Sequence, residues 1–131
     1  VWSHDGEVSF MAQVTNTGSS WVASRKKKPD AVALPAKSLL TILGKRRPEF
    51  WKIDIEGAEY QALKDCPEVL ENAEVIVTEY CTSQLERTSG ATGRQYYDLL
   101  SDFCWHRMNE KSVSFEELPT GAYDNFILFR R

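Results

Sequence analysis

Lys52, Asp54 and Glu56 alternate with Ile53 and Ile55, so an extended chain would carry three ionisable groups on one side and two isoleucines on the other. Carboxylates placed in this way suit two kinds of chemistry. In a desolvated site a carboxylate accepts the proton of an acceptor hydroxyl, and holding that hydroxyl against an electrophile supplies much of the rate. At the start of a helix, the same acids suit the exposed amides and the positive end of the dipole. Asp54 is the leading candidate to orient or deprotonate a hydroxyl and Glu56 the second, while capping of the next helix remains the alternative for both. Glu79 ends a neighbouring apolar run and extends the acidic group. Lys52 is placed to pair with Asp54 or Glu79, because a charge on an interior strand is tolerated when it is paired. No metal is assigned. His4 and His106 are far apart in sequence and lack the helical partner of a metal site; a weak divalent ion on the carboxylates of Asp54, Glu56 and Glu79 is the open alternative, but a hard cation needs several oxygens that sequence cannot place together.

These side chains need a strand, a corner and a helix to hold them. Phe50 to Ile55 follows Pro48 and is dense in aromatic and β-branched residues, which predicts an interior strand covered on both faces. Gly57 permits a tight exit, and Ala58 to Lys64 is rich in helix formers before Pro67 breaks the run. Glu74 to Tyr80 then reads as a second interior strand, so the unit is β-α-β with parallel pairing. Upstream, Glu7 to Val14 alternates as a half-buried strand, Asn16 to Ser20 is a loop, and Trp21 to Ala23 returns as a hairpin. Ala31 to Leu34 adds a short strand, and Ala36 to Leu43 has helical spacing that stops at Gly44. Downstream, Thr82 to Thr92 reads as a polar, mobile stretch. Tyr96, Tyr97, Leu99, Leu100 and Phe103 recur at helical spacing, and strands at Cys104 to Met108 and Asn125 to Phe129 should pair antiparallel.

A chain of 131 residues, 42% hydrophobic and 27% charged, can close one core, so a single domain over 1–131 is expected. The longest strongly apolar runs are far short of the roughly 20 residues that cross a bilayer, which speaks against membrane insertion. Cys66, Cys81 and Cys104 are odd in number and show no C-x-x-C spacing. Reduced, buried thiols in a reducing, cytoplasmic compartment are therefore expected. A net charge of −3 gives no general attraction to phosphates. The basic clusters Arg25 to Lys28 and Lys45 to Arg47 flank prolines as solvated loops do, and nucleic-acid binding is not expected. Asn16, Thr17, Ser19 and Ser20 can contact a substrate, yet they are also ordinary turn residues.

The run from Lys52 to Leu63 resembles the signature of the FkbM methyltransferases, K-(apolar)-D-(apolar)-E-G-A-E followed by a helix. Asp5 to Val8, the N-T-G-S-S loop, the strand ending at Glu79 and the closing Asn125 to Leu128 align with that family in order. The resemblance implies an α/β, partial Rossmann-like methyltransferase fold, with a mixed, mostly parallel sheet and a C-terminal antiparallel strand pair. It implies S-adenosylmethionine as cofactor, a sugar or small-molecule hydroxyl as acceptor, and Asp54, Glu56 and Glu79 as site residues. The glycine-rich turn and ribose-holding acid that such folds place at the start of the sheet have no counterpart here. Val1-Trp2-Ser3 resembles the tail of a third strand, so the cofactor-binding half is expected to precede it. A non-catalytic module that pairs as a homodimer through an exposed sheet edge is the alternative.

Overall fold

The computed structural model describes residues 1–12, 20–23, 31–108 and 112–131. Three strands near the start form a sheet of their own: β1 (Gly6–Met11) lies between β2 (Trp21–Val22) and β3 (Val32–Ala36), antiparallel to both. The expected hairpin partners are therefore in place, while the connecting Asn16, Thr17 and Ser19 and the basic cluster Arg25 to Lys28 lie outside the described residues. Ala36 belongs to β3, and the predicted helix begins later, as α1 (Leu39–Leu43). Ser38 sets that start because its hydroxyl accepts the Thr41 amide. Asp5, just ahead of β1, ties the start of α1 to that strand by accepting the Ser38 amide at 2.8 Å and the Thr41 hydroxyl at 3.0 Å. Those hydrogen bonds favour its ionised form and lower its pKa.

The main sheet has the order β4-β5-β7-β6, with β4 Phe50–Ile53, β5 Val75–Tyr80, β6 Phe103–Arg107 and β7 Asp124–Arg130. Among the described strands only β4 and β5 are parallel, while β7 runs antiparallel to both β5 and β6. The expectation of a mostly parallel sheet is thus corrected. The helix α2 (Glu59–Leu63) and a 3-10 turn (Pro67–Leu70) connect β4 to β5, whereas β7 returns after β6 and inserts between β5 and β6. β4 is also not interior among the described strands. It lies at the sheet edge and Phe50 is 63% exposed.

Thr82 to Ser89, expected to be a mobile stretch, is the helix α3, closed by Gly90 in the left-handed conformation. It buries Gln84, Leu85 and Thr88, one helical turn apart from first to last, and two of the three are polar, so the apolar stripe that signals a helix is missing. The helix α4 (Gly93–Leu99) follows behind a capping box at Thr92 and Gln95.

Alternation along the main sheet divides its two faces. Ile53, Ile76, Thr78, Tyr80, Phe103, Trp105, Phe126 and Leu128 are buried in the core shared with α2, α3 and α4. Trp105 anchors this core, edge-on to Tyr80, Tyr96 and Phe126 at centroid distances of 5.9, 5.9 and 5.5 Å. On the opposite face Lys52, Val77, Glu79, Asn125 and Ile127 keep partial or full access to solvent. Cys66 and Cys81 are buried free thiols as expected, and Cys104 is half-buried. No helix among the described residues is long and apolar enough to cross a membrane.

Candidate active site

β4 stops at Ile53, whose partner on β5 is Thr78. One residue further, Asp54 leaves β4 beside Glu79, and across β5 the partner of Glu79 on β7 is Asn125. Glu56 reaches the same place by another route than the expected strand alternation. Its φ is +57° and that of Gly57 is +90°, so the chain turns back at the strand end instead of running on. The result is a cluster in which one carboxylate oxygen each from Asp54, Glu56 and Glu79 lies within 4.8 Å of the others. All three acids singled out in the sequence therefore come together at the carboxyl end of the β4–β5 pair.

A left-handed glutamate costs roughly 1–2 kcal/mol, and α3 holds it there. Gln84, buried on that helix, donates from its amide nitrogen to the Glu56 carboxylate and, at 2.8 Å, to the Tyr123 hydroxyl. The Thr88 hydroxyl donates to the Glu56 carbonyl at 3.2 Å, and that of Ser89 donates to the Gly57 carbonyl. Gly57 is required where it stands, because a Cβ there would lie 2.3 Å from the Gln84 carbonyl oxygen.

Neither Asp54 nor Glu56 caps the helix that follows. The cap position of α2 is Ala58, with no side-chain cap bond, and the acid in its first turn is Glu59. Glu59 is buried and accepts the Ile55 amide at 3.0 Å, which locks the inner side of the corner. Burial pushes its pKa up, against the lowering effect of its backbone hydrogen bonds. Lys52 meets Asp54 at 2.8 Å as expected, but with side chains 63% and 45% exposed the pair contributes only about 0–1 kcal/mol and relieves no interior charge. Glu79 differs from both neighbours. Burial, followed by the charges of Asp54, Glu56 and Glu59, raises its pKa, with Lys52 opposing. Its Oε2 is buried with no hydrogen-bond partner among the described residues.

The cluster thus combines an exposed carboxylate (Asp54), one held by an amide (Glu56) and one that burial and its neighbours drive toward the protonated form (Glu79). Such a set can accept a proton from a hydroxyl and attracts positive charge. Three clustered carboxylate oxygens supply part of the shell of a hard cation. Of the remaining sequence candidates, Arg46 and Arg47 are committed to backbone carbonyls from Ile42 to Arg46, at the end of α1. His106 packs edge-on against Phe129, and His4 bonds Ser3. Gln84, Tyr123 and Glu59 were missed in the sequence. The first lies on a helix that its own polarity concealed, and Glu59 resembles any acid in a first helical turn. Tyr123 lies far along the chain from the motif.

No curated protein and no solved structure matches the chain. The family model described as Methyltransferase FkbM domain matches residues 2–118, which include the whole corner and Glu79. The chain belongs to the FkbM methyltransferase family.

Proposed function

We propose that the Asp54, Glu56 and Glu79 cluster serves methyl transfer from S-adenosylmethionine to an oxygen nucleophile, the hydroxyl of a sugar or another small molecule. The observation that carries this reading is the convergence of the three carboxylates at the end of the parallel strand pair, where ligands bind in open α/β sheets. The parallel β4–α2–β5 unit supports a partial Rossmann-like methyltransferase fold.

The donor set fits the charge of the cofactor. Glu79 Oε2 is buried without a partner beside two more carboxylates, a setting that favours the positive sulfonium and ammonium groups. When bound, the cofactor supplies an electrophilic methyl group. Asp54, the most accessible acid of the cluster, orients the acceptor hydroxyl and takes its proton at a carboxylate oxygen. Lys52 pairs with Asp54 at 2.8 Å, and Gln84 holds Glu56 within reach as the second acceptor of hydrogen bonds. The buried free thiols support a reducing, cytoplasmic setting.

The test is Asp54→Asn in the full-length protein, with turnover of a hydroxyl acceptor followed by mass spectrometry. Loss of a general base lowers kcat by about 10²–10⁴. An unchanged kcat would remove Asp54 from the chemistry. A second reading, a module that pairs through its sheet edge, is favoured by the position of β4 at that edge and by the exposed Phe50 beside its start. It predicts a dimer in light scattering that Phe50→Lys dissociates, and a monomer at all concentrations would dismiss it.

A further inference from the structure

A cleft of about 450 Å³ opens on the other side of the corner, between the first residues of the chain, α2 and α3. That volume lies within the range of small-molecule sites, roughly 300–1,000 Å³. The crevices below Trp51 and beside Arg130 hold only about 100 Å³ each. Its walls are Trp2, His4, Gln61, Glu86, Thr88 and Ser89, with Gly90 at one end. Thr88 and Ser89 are the residues whose hydroxyls grip the Glu56 and Gly57 carbonyls, so the cleft shares a wall with the acidic corner.

The polar groups of this cleft divide into fixed and available ones. The Trp2 backbone is anchored to the Lys37 carbonyl at 3.1 Å. Gln61 donates to the Ser3 hydroxyl at 2.8 Å, and Ser3 meets His4 Nδ1 at 3.0 Å, which orients the imidazole. Among the described residues, neither His4 Nε2 nor the Glu86 carboxylate has a hydrogen-bonding partner or an ion pair. Among the described residues no lysine or arginine lines the cleft, and Glu86 repels a phosphate. An indole beside an imidazole, an amide and a carboxylate is instead complementary to a ring with one C–H face and several hydroxyls.

We infer that this cleft binds a neutral hydroxylated ring, packed on Trp2 and hydrogen-bonded by His4, Gln61 and Glu86. Its role beside the acidic corner rests on the methyl-transfer reading, but binding itself does not. Two rings share this chemistry: the sugar of an acceptor and the ribose of the cofactor.

The experiment is fluorine NMR of the full chain carrying 5-fluorotryptophan, with the Trp2 signal assigned through Trp2→Phe. Methyl β-D-glucopyranoside, adenosine and glucose 6-phosphate are titrated in turn. A neutral probe is expected to shift the Trp2 signal saturably in the millimolar range, the strength of a few hydrogen bonds to one ring. Glu86→Ala, an exposed substitution that leaves the core untouched, weakens that binding about tenfold or more. A response to the glucoside assigns the cleft to the acceptor, and a response to adenosine alone assigns it to the cofactor's ribose. The inference is overturned if no probe moves the Trp2 signal, if Glu86→Ala leaves binding unchanged, or if glucose 6-phosphate binds more tightly than the glucoside. Asp54→Asn separates the two readings. Ring binding that persists while turnover is unaffected sinks only the role of Asp54, and turnover that falls without any ring binding sinks only the cleft.

Discussion

Replacing Gly57 by alanine tests whether the corner is held by contact with α3. Two costs add at this position. A φ of +90° places an alanine in a conformation that costs L-residues about 1–2 kcal/mol. The new Cβ would also lie 2.3 Å from the Gln84 carbonyl oxygen, 2.5 Å from its carbonyl carbon and 2.9 Å from its Cβ. Two of these atoms are backbone, so no rotamer relieves the overlap. An ordinary contact needs a shift of about 1 Å in the helix or the corner, and such overpacking costs roughly 1–3 kcal/mol. The sum, about 2–5 kcal/mol, is a large share of the roughly 5–15 kcal/mol that keeps a domain folded. Gly90 supplies the control: its φ is +67° and a Cβ there meets nothing within 4 Å, so Gly90→Ala carries the backbone cost alone. Urea melts of the two variants should differ by about 1–3 kcal/mol at equal m-value, with Gly57→Ala the weaker. If they agree within about 0.5 kcal/mol, the close packing of Gly57 on α3 is refuted.

Glu59 gives a pH dependence of definite sign. Burial raises its pKa in the folded protein, so its contribution is fully present below the ordinary glutamate range and is lost as pH rises through the raised value; Glu59→Gln should flatten that decline in thermal melts across acidic to neutral pH. A decline of equal slope in the variant would show that another group, Glu79 first, carries it. Chelation tests the metal-free reading, in which Asp54 and Glu56 are engaged by Lys52 and Gln84. Methyl transfer should therefore survive EDTA, and activity lost to EDTA and restored by Mg²⁺ would recast the cluster as a cation site.

The parts of the fold legible in the sequence are those set by short-range pattern. The β4–α2–β5 unit, the hairpin and the closing antiparallel pair all follow from alternation, helical spacing and turn residues within a few positions of one another. Strand order is a long-range property and was not legible. Phe50, Trp51, Ile53 and Ile55 look like a strand covered on both sides, yet among the described strands β4 lies at the edge with Phe50 exposed, and β7 takes the other place beside β5. α3 was hidden for a different reason. Its buried face is built from Gln84, Leu85 and Thr88, and polar residues buried for hydrogen bonding leave no hydrophobic periodicity to detect.

That concealed helix decides how the corner is held. From the sequence alone, Asp54 and Glu56 suit a helix cap as well as a catalytic site, and nothing in K-x-D-x-E-G chooses between them. The cap is excluded by Ala58 at the cap position and by Glu59 bonding back to Ile55, while Gln84 draws the Glu56 carboxylate outward from a left-handed backbone. A capping acid lowers the energy of its own helix. Glu56 is held in a strained conformation by three residues of another helix, and backbone strain maintained by its surroundings concentrates at functional sites. Two of those three residues, Thr88 and Ser89, also line the cleft behind the acidic cluster, so a displacement of α3 disturbs both together.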